Sequence, residues 1–287
     1  MRKFLPLLFS VLLSLFPLSS LSSQEIGLVL AGGGGKGAYE VGVWKAFVEY
    51  GLAQKVTYMS GTSVGGLNAG LFASECVDRV VGFWQVFVPE ELWNNTYEVI
   101  DQKGLERIIN QADLSKMQKN PYPKVFVTTT RARFLLGKFL TKIFGFDYAH
   151  RFLLNEEGDL EEIKKMMLAT SAVPLITKSI ELKDGYRHVD GGVADNVPIS
   201  PLLDNEKISA DLSTVFVVHL GQDSKLSDDY PDGKVVDIFP SEDIGSWGAM
   251  VDFSQEKVNY LIELGYRDAC KVLSGQNLHP VEGYWFE

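Results

Sequence analysis

Twice near its start this chain runs from a short apolar stretch straight into glycine and out again into a segment with helical spacing. The first instance is IGLVLA, residues 26–31, followed by Gly32-Gly33-Gly34-Gly35-Lys36-Gly37 and then AYEVGVWKAFVEYG. In that last segment Val41, Trp44, Ala46, Phe47 and Tyr50 recur at helical intervals, up to Gly51 as a C-terminal cap. The second is VTYMS, followed by Gly61-Thr62-Ser63-Val64-Gly65 and a helix-like segment from Val64 to about Glu75. Apolar runs this short, bounded by glycine, read as buried strands, and strand–turn–helix units in series build a largely parallel sheet. KVFVTT (124–129) and STVFVVHL (213–220) read as further strands. Helices are expected over 160–170 and from about Ser254, a fair N-cap, to Leu273. Residues 221–250 are polar and turn-rich and read as connections. The expectation is one α/β domain over residues 24–287, a three-layer sandwich with a largely parallel central sheet and helices on both faces.

Three chemistries compete for the glycine run. Gly32, Gly34 and Gly37 satisfy the dinucleotide pattern G-x-G-x-x-G between a strand and a helix. That reading requires a carboxylate about 20 positions on, at the end of the second strand, to hold a ribose hydroxyl. The second strand instead ends Met59-Ser60-Gly61-Thr62-Ser63. A phosphate-binding P-loop needs Gly-Lys-Ser/Thr, whereas Lys36 here is followed by Gly37 and Ala38. The third reading joins the run to Ser63, which sits in the G-x-S-x-G frame of a nucleophile elbow. Acyl transfer passes through a tetrahedral oxyanion that backbone N–H groups stabilise. Glycines at a helix start present such donors without a Cβ in the way.

A serine hydroxyl needs a base. The chain offers His150, His188, His219 and His279, none in an obvious motif. His219 lies in an apolar strand and reads as a core residue, and His279 leaves a Ser–Asp–His chain order open. The stronger signal is HVDGGVADNVP (188–198), where Asp190 ends a short strand ahead of Gly191 and Gly192. By itself this is also what an Asp-Gly hairpin turn looks like.

In this order and at these separations, GGGGKG, GTSVG and DGG resemble the patatin-like phospholipase family. The blocks Ala169-Thr170-Ser171-Ala172-Val173-Pro174 and Asp195-Asn196-Val197-Pro198 extend the resemblance over about residues 25–275. The resemblance implies a lipid acyl hydrolase with a Ser–Asp dyad and no histidine. Ser63 would be the nucleophile and Asp190 the base. Gly33, Gly34 and Gly35 would form the oxyanion hole, and Lys36 stands where the family has Arg or Lys, with a role in substrate binding or as a structural charge. The substrate implied is a membrane phospholipid or lysophospholipid, cleaved through an acyl-enzyme. An acyltransferase or soluble-ester esterase on the same dyad, or a silent lipid-binding module, remain alternatives. No cofactor is implied, and no His/Cys/Asp cluster has the spacing of a metal site.

The first residues have a separate logic. Arg2 and Lys3 precede an apolar run from Phe4 to Leu18, and the small residues Ser20 and Ser22 stand before a cleavage position. Residues 1–23 are therefore expected to be a signal peptide, with a periplasmic or secreted product. The alternative is an uncleaved N-terminal anchor. Removing Arg2 and Lys3 takes the formal charge from −10 to −12, which argues against nucleic acid as a partner. One basic exception stands out: residues 131–151, RARFLLGKFLTKIFGFDYAHR, read as an amphipathic helix. It suits peripheral membrane contact or a solvated basic face equally well. Phe83, Trp84, Phe87 and Trp93 suit an acyl groove or the core. Asn94-Asn95-Thr96 is a glycosylation sequon, and Cys76 and Cys270 leave a disulfide open.

Overall fold

The computed structural model describes residues 25–93, 102–132, 148–174, 176–221, 225–230 and 232–281. The expected signal peptide, the sequon and residues 133–147 of the basic segment lie outside the described residues. The ends of that segment differ from the expected helix: Arg131 closes a strand and Ala149 opens another. The two flanks pair with one another instead of continuing a helix.

Among the described residues the sheet holds eight strands: β1 (Glu25–Leu30), β2 (Val56–Thr62), β3 (Lys124–Arg131), β4 (Ala149–Leu153), β5 (Ile180–Glu181), β6 (Arg187–Asp190), β7 (Leu212–Val218) and β8 (Val235–Ile238). Strands β3, β2, β1, β7 and β8 are neighbours in that order and all parallel. β4, β5 and β6 join antiparallel. The longer helices are α1 (Ala38–Glu49), α2 (Val64–Ser74), α3 (Gln102–Gln111), α4 (Leu160–Thr170) and α5 (Gln255–Gly275). Ser254 does cap α5, its Oγ accepting from the Lys257 N–H at 3.4 Å.

Period-2 alternation places the sheet between two layers. Leu28 and Leu30 on β1, with Phe216 and Val218 on β7, face the larger core under α1, α2, α4 and α5. Val29, Val215 and Val217 face the opposite side, under Leu202 and Ile208 of the short helices Ser200–Leu203 and Glu206–Asp211 and under Ile199, which caps the first of them. The expected three-layer, largely parallel architecture is what the chain forms.

The edges of β3 explain how the site is built. β4 pairs with Phe126 to Thr130 and β2 with Lys124 to Thr128, so those two strands lie on opposite edges. β6 pairs with Thr129 to Arg131, where β4 already occupies one edge, so it lies on the edge of β2. β2 ends at Thr62 opposite Thr128, and β6 contributes Asp190 opposite the next residue, Thr129. Two strands running in opposite directions thus meet end to end, and Ser63 and Asp190 are the residues at the junction.

Candidate active site

Ser63 occupies the sharp turn between β2 and α2 with φ 55° and ψ −127°, a region where side chains are strained. Surrounding contacts hold it there. An added Cβ at Gly61 would lie 2.3 Å from the Gly65 carbonyl oxygen, and one at Gly65 2.3 Å from that of Leu30. Both glycines of the elbow frame are therefore required by close backbone approach. The Ser63 N–H donates to Thr170 Oγ1 at 2.9 Å, and that hydroxyl in turn donates to the Thr128 carbonyl. α4 thereby ties the elbow to β3.

Ser63 Oγ donates to Asp190 Oδ2 at 2.6 Å. The other carboxylate oxygen accepts the Gly192 N–H at 2.7 Å, and the Asp190 N–H is anchored on the Ala172 carbonyl at 2.8 Å. Both residues are buried. Burial pushes the Asp190 carboxyl up to about 6, although the bonds from Ser63 and Gly192 favour its ionised form. A Cβ at Gly191 would meet the Thr128 carbonyl oxygen at 2.2 Å, so the DGG turn also needs a glycine.

The first glycine cluster lies beside this pair. Gly34, with φ +58°, opens a 3-10 turn over Gly34–Gly37. The first N–H groups of such a turn, here those of Gly34 and Gly35, have no acceptor within it. Gly33 and Gly34 line the same cavity as Ser63 and Asp190. A Cβ at Gly34 would meet the Met250 carbonyl oxygen at 2.1 Å, and one at Gly35 that of Asp252 at 2.4 Å. The run is held from the other side by Asn196, whose Nδ2 donates to the Gly32 carbonyl at 3.2 Å. Lys36 is buried, and its ammonium donates to the Leu220 carbonyl beyond β7. It is not among the described residues lining the cavity.

That cavity has a volume of about 350 Å3. Leu67, Leu71, Val88, Leu105, Ile108 and Phe253 supply an apolar wall, and Asp190 is the one ionisable side chain among the described residues that line it. Trp84 lines it as well, while Phe83 fills the core. The side chains of Phe87 and Trp93 lie outside the described residues.

The histidines are engaged elsewhere. His188 contacts Thr129 Oγ1 through Nδ1 at 2.8 Å and Asp184 through Nε2, and burial lowers its proton affinity. His219 pairs with Asp237 at 2.7 Å and stacks on Phe239. His150 packs against Phe152 and His188, and His279 is exposed. Cys76 and Cys270 are free thiols. Among the described residues no group of His, Cys, Asp and Glu could hold a metal ion.

Residues 28–203 match a family model described as patatin-like phospholipase, which spans both glycine clusters, Ser63 and Asp190. The chain belongs to the patatin-like phospholipase family. Its relatives include the lysophospholipase NTE1 of Yarrowia lipolytica, 25% identical over 217 residues, or 70% of this chain and 13% of the relative. The lysophospholipase NTE1 of Saccharomyces cerevisiae is 24% identical over 229 residues, covering 74% of this chain and 12% of its own length. A patatin-like phospholipase domain-containing protein of Caenorhabditis elegans is 48% identical over 61 residues, 21% of this chain and 4% of that protein. This chain therefore spans about an eighth of the NTE1 relatives it matches. Among solved structures, VipD from Legionella pneumophila aligns with a TM-score of 0.46 at 12% identity, over 88% of this chain and 67% of VipD.

For this family member, sequence reasoning named the serine, the aspartate and the glycines. It missed what holds them. Thr170 and Asn196 were legible only as members of the ATSAVP and DNVP blocks, and Asn68, five residues beyond the serine, carried no signal of its own.

Proposed function

We propose that the chain is a serine acyl hydrolase that cleaves an ester of a phospholipid or lysophospholipid through Ser63 and Asp190. The observation that carries this reading is the 2.6 Å hydrogen bond from Ser63 Oγ to a buried carboxylate with no histidine between them, both lining a largely apolar cavity. Family membership and the names of the NTE1 relatives support the lipid substrate.

Ser63 Oγ attacks the ester carbonyl carbon as its proton passes to Asp190. The carbonyl oxygen takes up negative charge facing the backbone N–H groups of the run Gly33, Gly34 and Gly35, of which Gly33 and Gly34 line the cavity. Collapse breaks the ester C–O bond, and the leaving alkoxide takes the proton from Asp190. Water then attacks the acyl-enzyme, again giving its proton to Asp190, and the acid is released as Ser63 regains a proton. A carboxylate is a weak base for a hydroxyl. Burial, which raises its proton affinity, and donors fixed where charge develops make the step accessible.

Covalent labelling by a fluorophosphonate, alongside hydrolysis of lysophosphatidylcholine, tests the assignment. Labelling and hydrolysis are expected for the native chain and in neither Ser63→Ala nor Asp190→Asn. Labelling that survives Asp190→Asn but is lost on changing a histidine would overturn the dyad. We also propose that residues 1–23 direct export. N-terminal sequencing of the mature protein should then begin after Ser22 or Ser23, and an intact Met1 on a membrane-bound chain would favour the anchor instead.

A further inference from the structure

One buried polar cluster, which reaches the cavity wall through Asn68 and Trp84, has no part in the chemistry above. Asn68 lies on α2, the helix that begins directly after Ser63. Its Nδ2 donates to the Gly37 carbonyl at 3.0 Å and to Glu40 Oε2 at 2.7 Å, while its Oδ1 accepts the Trp84 indole N–H at 2.9 Å. Gly37 ends the 3-10 turn that Gly34 opens, and Glu40 lies in the first turn of α1, which follows it. A single amide therefore connects the helix of the nucleophile to the turn that presents the backbone donors. Its orientation is fixed. Exchanging the amide nitrogen and oxygen would set two acceptors against Oδ1 and one donor against Nδ2.

Asn68 and Glu40 are wholly buried, and Glu40 Oε1 has no hydrogen-bond partner among the described residues. Burial drives the Glu40 carboxyl well above its ordinary range. A glutamine has the shape and the acceptor needed to replace it.

Building on the acyl-hydrolase reading, we propose that Asn68, braced by Glu40 and Trp84, is a positioning residue that sets the distance between Ser63 and the oxyanion donors of the glycine turn. Neither side chain exchanges a proton with substrate. The contribution is geometric: a tetrahedral oxyanion gains full stabilisation only when its donors are held where the charge forms, and a misplacement near 1 Å costs about 100-fold in rate.

The test compares Asn68→Leu, Glu40→Leu and Glu40→Gln with the native chain on a soluble thioester and on lysophosphatidylcholine. Two readouts are used: kcat and KM, and the inhibition constant of a trifluoromethyl ketone whose serine adduct carries an oxyanion. Asn68→Leu and Glu40→Leu are expected to lower kcat by about 100-fold with KM within about 2-fold. Both should weaken the ketone by the same factor as kcat/KM. Glu40→Gln should stay within about 2-fold of the native chain in every quantity, the isostere rescuing what leucine loses. Loss of rate with unchanged ketone affinity would overturn the proposal, as would a glutamine variant as impaired as the leucine one. Should Asn68→Leu not fold, the Glu40 pair decides by the same criteria. Failure of the underlying reading is separable. In that case Ser63→Ala leaves hydrolysis intact, whereas failure of the positioning role leaves Ser63→Ala inactive and the Asn68 and Glu40 variants unaffected.

Discussion

Asp190 carries opposing demands on one carboxyl group. Burial moves its proton affinity from 3.8 to about 6, which makes it a better acceptor for the Ser63 proton but disfavours the ionised form that must accept it. For activity, kcat/KM should rise as pH increases through about 6 and level above it, which a pH–rate profile on a soluble ester would show. For stability the sign is reversed. The folded-state value lies above the unfolded one, so between about pH 4 and 6 the native chain binds more protons and loses stability as pH rises. Above that window the cost is complete, on the order of 3 kcal/mol for the ionised group. Asp190→Asn should therefore be inactive yet melt at a higher temperature than the native chain at pH 8, and a lower melting temperature there would contradict this account. Ser63 stores strain in its backbone instead, with φ 55°. Ser63→Gly should exceed Ser63→Ala in unfolding free energy by about 1 kcal/mol, measured by urea titration, both being inactive. The glycines and the serine were legible in the sequence because chemistry places them in a local pattern. The bonds that Thr170, Asn68 and Asn196 make were not, because each acts on a segment distant in the chain, and spacing carries no trace of a tertiary hydrogen bond.

At the level of elements, the strands and helices read from periodicity were those fully buried or clearly amphipathic: β1, β2, β3, β7, α1, α2, α4 and α5. β8 was read as part of a polar connection, because Val235–Ile238 is a short edge strand inside a turn-rich stretch. The antiparallel trio β4, β5 and β6 was also missed apart from the short run before Asp190, and it matters more, since β6 delivers the aspartate. Its strands are two to five residues long and take their pairing from β3, so local propensity has little to register. The packing of α1 on α5 was equally silent. A Cβ at Gly42 would lie 2.0 Å from the Ile262 carbonyl oxygen, and one at Gly265 2.0 Å from that of Tyr39. Backbone on both sides leaves nothing flexible to yield. Gly265→Ala should then lower the urea midpoint, with a loss of about 1–3 kcal/mol, despite the better helix propensity of alanine. A midpoint equal to that of the native chain would show that the two helices can separate without penalty.

For the whole molecule, a lipid substrate would require an acidic chain to approach a lipid surface. With a formal charge of −10 it is repelled by anionic bilayers unless one region reverses the sign locally. Residues 131–151 carry Arg131, Arg133, Lys138, Lys142 and Arg151 against Asp147 alone, with Leu135, Leu136, Phe139, Leu140 and Ile143 among them. The two described ends of this segment are already committed. Arg131 pairs with Asp184 at 3.3 Å and Arg151 with Asp195 at 3.0 Å. A lipid contact by this segment would then rest on the sequence between those ends, where each basic residue near an anionic surface would contribute about 1 kcal/mol and apolar insertion would add to it. If the segment meets lipid as its sequence suggests, Leu136 and Phe139 would belong to the apolar part of that contact. Replacing both with serine should lower binding to phosphatidylglycerol vesicles, measured by co-flotation, while hydrolysis of a soluble ester stays at the native rate. The binding that the native chain shows should weaken as salt is raised from 50 to 200 mM, about the range over which screening removes surface attraction. Vesicle binding that resists both the serine replacements and the salt would mean that lipid is met elsewhere. The exposed Trp247 at the rim of the cavity would then be the first residue to change, because it is 62% exposed while also lining the site.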